Sequence, residues 1–185
     1  MIKKFYRNLV SGLFGKLGTK QKATIAAAAF MIILFFAAKV AFWVLIFVFI
    51  ASIAEIYNHE FRTPIHFDLV KLGTVLTSTA YGAPAGIFVG IASTFFSKMF
   101  SSRLSANIIV SFVGIIIISL LAHAFSGAPI TALGISLVFV YYLITSPIIL
   151  MMGENPAYAA LYVFSSIVIN ILLFSLVAPK LIRLL

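Results

Sequence analysis

The chain has 185 residues, of which 63% are hydrophobic and only 9% are charged, with a mean hydropathy of +1.20. A soluble domain usually holds about 45–50% apolar residues, so this composition excludes an ordinary soluble fold and predicts an all-α integral membrane protein. The absence of cysteine excludes disulfides, thiolate catalysis and cysteine metal sites. The net charge of +9 is concentrated near the amino terminus and does not indicate nucleic-acid binding.

The first 22 residues form a basic segment. Six of the thirteen basic residues lie in it, and no acid accompanies them. The apolar residues between them recur at helical spacing, which predicts an amphipathic helix on anionic lipid headgroups at the cytoplasmic face. A cleaved signal peptide is the alternative, although the apolar run that follows is long and lacks a clear cleavage site. We therefore divide the chain into a basic cytoplasmic segment, 1–22, and a transmembrane helical domain, 23–185.

Charges and turn residues divide the second part into six predicted spans, since a transmembrane helix needs about 20 apolar residues. Six spans place both basic termini in the cytoplasm of a multi-pass cell-membrane protein, as the positive-inside rule favours. A break at Lys39 gives seven spans instead and reverses the orientation of everything after it. A functional intramembrane charge and a lysine that snorkels toward the headgroups are the other interpretations of Lys39. The six predicted spans are 23–54, 67–81, 84–100, 104–125, 129–152 and 156–179.

A polar stretch, EIYNHEFRTPIHFDLVK, follows the first span at 55–71 and holds three of the four acids. The six-span topology makes it extracellular. An ordinary solvated loop is one interpretation, and ligand contact through Arg62, His66 and Asp68 is a second. A metal site made of the histidines and acids of this stretch is the third, but their spacing matches no established motif. We therefore predict no metal and no cofactor.

Small residues recur every four positions in the stretch TSTAYGAPAGIFVGIASTFF. Gly82 and Pro84 predict a tight turn, because glycine ends a helix and proline suits the start of the next. Gly86, Gly90 and Thr94 then share one face of that next helix. Small residues let helix backbones approach closely in lipid, so this helix is predicted to be a central packing element.

The stretch from Ile65 to Phe100 resembles the second and third helices of the substrate-binding S components of energy-coupling factor transporters, most of all the riboflavin type. In those proteins an aspartate opens a short helix, a glycine–proline turn follows, and a Gly-xxx-Gly-type helix comes next. Asp68, the Gly-Ala-Pro turn and the Gly86/Gly90 pair take those places here. The resemblance implies that Asp68 caps the amide groups at the start of the second helix.

The same resemblance implies a function and partners. S components capture a small water-soluble nutrient such as a vitamin, and a coupling membrane subunit and ATPases supply the energy. Proteins resembling the rod-shape determinant MreD share the helical layout without transporting anything, so a membrane scaffold that recruits partner proteins is the alternative. In S components the outer loops after helices one, three and five close over the ligand. The resemblance thus implies these substrate-binding residues: Arg62, His66, Asp68, Lys98 and Glu154.

Enzyme motifs are missing from the sequence. It contains no HExxH, no GxSxG and no phosphate-binding GxxxxGK[ST]. The predicted spans also lack a pair of carboxylates for acid–base work. We therefore expect a protein that is not an enzyme and that binds a small molecule or a partner in the bilayer.

Overall fold

A computed structural model of the chain describes residues 19–60, 68–100 and 107–185. These ranges are helical throughout apart from short turns, and they contain no β-strand. Within these ranges five helices are long and apolar enough to cross a membrane, one fewer than the six predicted spans. The described part of the chain thus has the character of an all-α membrane protein. Residues 1–18, most of the predicted amphipathic segment, lie outside the described residues.

The helical elements agree with the predicted spans to within a few residues at most ends. The largest difference is at the first helix, which continues past residue 54, because no glycine or proline interrupts the sequence before Pro64. A π-helical turn, Leu173–Val177, joins the last two elements, so that Pro156–Leu181 is one helical segment. In chain order the elements are α1 (Thr19–Glu60), α2 (Leu69–Tyr81), α3 (Ala83–Phe100), α4 (Asn107–Ala124), α5 (Ile130–Met151), α6 (Pro156–Leu172) and α7 (Ala178–Leu181).

The chain divides into two compact units, Met1–Ala41 and Phe42–Leu185. In the first unit the described residues, 19–41, are entirely helical. Lys39 is exposed there and has helical backbone on both sides. The helix break that the seven-span alternative requires at Lys39 is therefore absent.

The short helix α2 lies at the centre of the second unit. Every residue from Val70 to Ser78 is buried, and α2 packs against α3, α4, α5 and the α6–α7 segment. Its 13 residues rise by about 20 Å, which is less than the roughly 30 Å of a bilayer's hydrocarbon core. One buried helix thus brings its side chains to most other helices of this unit.

A single residue, Gly82, joins α2 to α3. Its φ is +98°, in the region that favours glycine because no Cβ is present to clash. Its N–H donates to the carbonyl of Ser78 at 3.0 Å. Pro84 is the second residue of α3, where its missing N–H costs nothing. The predicted turn between these two helices is confirmed.

Gly86 and Gly90 lie where α3 approaches its neighbours most closely. A Cβ added at Gly86 overlaps the hydroxyl of Ser78 and lies 2.6 Å from the carbonyl oxygen of Thr74. A Cβ added at Gly90 lies 2.6 Å from Thr74 Oγ1 and 2.5 Å from Ile115 Cγ2 of α4. At Gly86 a side chain would meet the backbone of α2, whereas at Gly90 it would displace the side chains of Thr74 and Ile115.

The two faces of α3 differ in burial. Thr94 shares the buried face with Gly86 and Gly90, whereas Phe88 is 57% exposed. The small-residue face is thus directed into the protein, and the large apolar side chains on the other face are left to contact lipid.

The π-helical turn brings Phe174 into the core of the second unit. Its ring is fully buried and packs against Gly134 of α5, where an added Cβ overlaps the ring. The hydroxyl of Thr131 donates to the carbonyl of Phe174 at 2.9 Å. A side chain of α5 thereby bonds a carbonyl where the regular α-helical pattern of hydrogen bonds is interrupted.

Candidate functional site, a buried ion pair among tyrosines

Asp68 forms the N-cap of α2. Its side chain accepts a hydrogen bond from the backbone N–H of Lys71 at 3.5 Å, and the residue is buried. A carboxylate is favoured here by the unpaired amide groups and by the helix dipole. The sequence places an aspartate where α2 begins, and the structure gives it the capping contact.

Lys71 is the second charged residue of this turn. Its Nζ contacts Asp68 Oδ2, and the two side chains are only 4% and 3% exposed. Residues three apart on a helix share a face, so the helix itself brings the two charges together. Lys71 ends the polar stretch 55–71, and no role was predicted for it.

Tyr142 of α5 bridges the two charges. Its hydroxyl donates to Asp68 Oδ2 at 3.2 Å and accepts from Lys71 Nζ at 3.1 Å. The same Nζ lies 4.2 Å from the ring centroid of Tyr141 and 4.6 Å from that of Tyr142. Electron-rich ring faces attract a cation at such distances. The buried ammonium therefore has a carboxylate, a phenol oxygen and two ring faces around it.

Tyr162 of α6 completes the aromatic surroundings. Its ring centroid is 6.2 Å from that of Tyr142 with the planes at 80°, and the Tyr141 and Tyr142 centroids are 5.3 Å apart at 90°. Both pairs have the edge-to-face geometry that aromatic rings prefer. We call Asp68, Lys71, Tyr141, Tyr142 and Tyr162 the Asp–Lys–Tyr cluster.

The cluster lies well inside the second unit. Tyr142 precedes the last residue of α5, Met151, by nine residues, which is about 14 Å along the helix axis. Asp68 contacts Tyr142, so α2 begins at that depth and not level with the end of α5. With α5 as a membrane span, these two charges lie within the hydrocarbon layer.

A second ion pair joins α1 to α3. Lys98 Nζ, near the end of α3, is 3.7 Å from Glu55 Oε1 of α1, and the two side chains are 21% and 10% exposed. The predicted loop that begins at Glu55 is wrong at that residue, because Glu55 is buried within α1.

The remaining substrate-binding candidates are distributed as follows. Glu154 is exposed and accepts a hydrogen bond from Asn107 Nδ2 at 2.9 Å, at the start of α4. Arg62 and His66 lie outside the described residues. The described contacts thus pair Asp68 with Lys71, Lys98 with Glu55, and Glu154 with Asn107.

Metal binding receives no support from the described side chains. Among the side chains that the structure describes, which exclude those of His59 and Glu60, no three from His, Asp or Glu lie close enough to hold a metal ion. The metal alternative also relied on His66, which lies outside the described residues.

Comparisons with protein-family models, with curated proteins and with solved structures find no match for this chain. Its function is therefore inferred from the Asp–Lys–Tyr cluster and its surroundings. Of these five residues, the sequence indicated only Asp68. The Asp-x-x-Lys spacing at a helix start was the available signal for Lys71, whereas nothing local connects α2 with tyrosines more than 70 positions away.

Proposed function

We propose that the protein is a membrane subunit that captures a small water-soluble nutrient, such as a vitamin, for an energy-coupling factor-type transporter. The observation that carries this proposal is the Asp–Lys–Tyr cluster. Ionisable side chains at membrane depth are costly, and they usually mark a substrate or ion site. A buried ion pair is also a poor source of stability, because desolvation offsets the attraction. Ligand binding accounts for a cluster that packing alone does not require.

The position of the cluster supports the same proposal. The ends of α1 and α3 meet through the Glu55–Lys98 pair, and Asp68 lies at the start of α2. In the six-span topology all three of these helix ends are directed toward the outer face of the membrane. The resemblance of residues 65–100 to S components points to the same end of the helices.

Both termini are cytoplasmic in this proposal, which counts the short helix α2 as a sixth crossing beside the five long apolar helices, so that the chain returns to the side on which it began. The basic residues at both ends support that orientation. A reporter active only in the cytoplasm, fused after Leu185, is expected to give signal. A silent reporter in well-expressed protein contradicts the six-span topology.

Mass spectrometry of small molecules that co-purify with the full chain tests the function. The charge-free variant Asp68→Asn/Lys71→Met removes both ionic groups without leaving either unpaired. Tyr158→Phe is a matched control, since Tyr158 is 64% exposed on α6. We expect one class of small molecule in the wild type and the control, and its loss from the charge-free variant.

The absence of any enriched small molecule from the wild type overturns the capture proposal. The scaffold alternative then replaces it. In that case cross-linking in native membranes recovers the same partner proteins from the wild type and the charge-free variant.

A further inference from the structure

The two ionic side chains within the cluster balance one another, because the carboxylate of Asp68 pairs directly with the ammonium of Lys71. A ligand with a net charge brings an uncompensated charge into this dry environment, which is strongly unfavourable. A ligand whose own charges cancel brings none. The charge balance of the site thus favours a ligand that is neutral overall.

The direct contact between Asp68 and Lys71 restricts the class of ligand further. If a ligand separates them, the carboxylate needs a cation and the ammonium needs an anion within the same small volume. A zwitterion supplies both groups at once. The lysine stem is flexible and its three donors rotate, so Nζ can follow an incoming carboxylate. The hydroxyl of Tyr142 lies 3.1 Å from Lys71 Nζ and 3.2 Å from Asp68 Oδ2. Because a phenol both donates and accepts, it can hydrogen-bond to these groups with or without a ligand between them.

The aromatic walls indicate where a ligand's ammonium binds. An ammonium, that of Lys71, already lies against the carboxylate of Asp68 and 4.2 Å from the ring centroid of Tyr141. This combination of a carboxylate and a ring face is the chemistry that recognises organic ammonium groups. The edge-to-face rings of Tyr141, Tyr142 and Tyr162 also suit a further aromatic ring, which packs well in such a geometry.

We propose that the Asp–Lys–Tyr cluster binds an aromatic zwitterion of amino-acid type. The ligand's ammonium pairs with Asp68, its carboxylate pairs with Lys71, and its ring packs among Tyr141, Tyr142 and Tyr162. This inference rests on the proposed function and names the ligand class of the same site.

Thermal unfolding of the purified full chain with matched probes tests the inference. L-Phenylalanine carries the ring and both charges, 3-phenylpropanoate lacks the ammonium, and 2-phenylethylamine lacks the carboxylate. L-Tyrosine and L-tryptophan extend the zwitterion set. We expect at least one of the three amino acids to raise Tm in a saturable way. The analogue that lacks one charge is expected to bind at least tenfold more weakly than the corresponding zwitterion.

Two variants assign the effect to this site. The charge-free variant Asp68→Asn/Lys71→Met is expected to lose the preference for the zwitterion, so that all probes give equally small shifts. The exposed control Tyr158→Phe is expected to keep the wild-type preference.

Three results overturn the inference: no shift with any of the three amino acids, an equal shift with a singly charged analogue, or a preference that persists in the charge-free variant. These outcomes are distinct from failure of the capture function. A co-purified molecule that is not zwitterionic overturns the inference and leaves nutrient capture standing. Protein that carries no small molecule and responds to no probe removes both.

Discussion

Both halves of α2 carry buried polar side chains, but these side chains are held in different ways. At the start of the helix, Asp68 and Lys71 form a buried ion pair that the hydroxyl of Tyr142 on α5 contacts. Further along, small hydroxyl side chains lie against the glycines on the buried face of α3. Close helix packing explains these small side chains. The ion pair is buried at a cost in desolvation, and the proposed ligand accounts for it.

Two hydroxyl groups of the second half, those of Thr77 and Thr79, find their hydrogen-bond acceptors within the helix itself. Thr77 Oγ1 donates to the carbonyl of Gly73 on the same helix at 2.7 Å. Such a bond forms within one helix, whereas a buried charge needs an opposite charge or a strong dipole beside it. Substitutions in the two halves should therefore destabilise the protein by different mechanisms.

The largest effect is expected from Gly86→Leu. Even a Cβ at this position meets Ser78 and Thr74, so a leucine forces α2 and α3 apart along their shared surface, and the cost should exceed the roughly 1–3 kcal/mol of ordinary overpacking and prevent folding. We expect loss of folded protein in detergent, measured by fluorescence-detected size exclusion. Gly90→Leu should behave likewise, and Phe88→Leu, on the exposed face, should fold normally. A normally folded Gly86→Leu protein contradicts close packing of α2 on α3.

Lys71→Met comes next, because it leaves the carboxylate of Asp68 buried and unpaired. Removal of one partner of a buried pair costs about 3–5 kcal/mol. The double variant Asp68→Asn/Lys71→Met should recover most of that loss in a thermal unfolding experiment. If the double variant is no more stable than Lys71→Met, the unpaired carboxylate is not the cause.

Tyr142→Phe removes one hydroxyl that contacts both charges and leaves the ring in place. Hydrogen bonds to charged groups contribute about 1.5–3 kcal/mol each, so a loss of about 2 kcal/mol is expected by the same measurement. The matched control is Tyr158→Phe, which should change little. Equal stability of the two variants contradicts the bridging role of the Tyr142 hydroxyl.

Glu154→Gln is expected to have the smallest effect. Its hydrogen bond with Asn107 is exposed, and substitutions at exposed sites usually change stability by no more than about 0.5 kcal/mol. A shift in Tm comparable to that of Tyr142→Phe contradicts this ranking.

Of the contrast between the two halves of α2, the sequence predicts the part that depends on residues close together in the chain. Hydropathy and turn residues locate the helices, and the four-residue spacing of glycines locates the packed face of α3. The cap at Asp68 is implied by the resemblance to S components, and the loss of a cap alone suggests about 1 kcal/mol for Asp68→Ala. The structure increases the loss of stability expected for Asp68→Ala, because Asp68 also pairs with Lys71.

The rest depends on tertiary contacts. Glu55 and Lys71 are the two ends of the polar stretch 55–71, and nothing in its composition indicates that either is buried. The contacts that bury them come from other helices: Tyr142 of α5 lies beside Lys71, and Lys98 of α3 lies beside Glu55. No periodicity in the sequence encodes a contact across 70 positions.

The π-helical turn Leu173–Val177 affects the direction in which the side chains of the final helical segment point. Ser166, Asn170, Phe174 and Ala178 are all fully buried, at steps of four residues. A regular α-helix advances about 100° per residue, so each four-residue step overshoots a full turn by about 40°, and three steps overshoot by about 120°. A π turn closes its hydrogen bonds over five residues and therefore rotates less for each residue. The wider turn cancels much of the angular drift and keeps one continuous line of side chains directed at the interior, from Ser166 to Ala178.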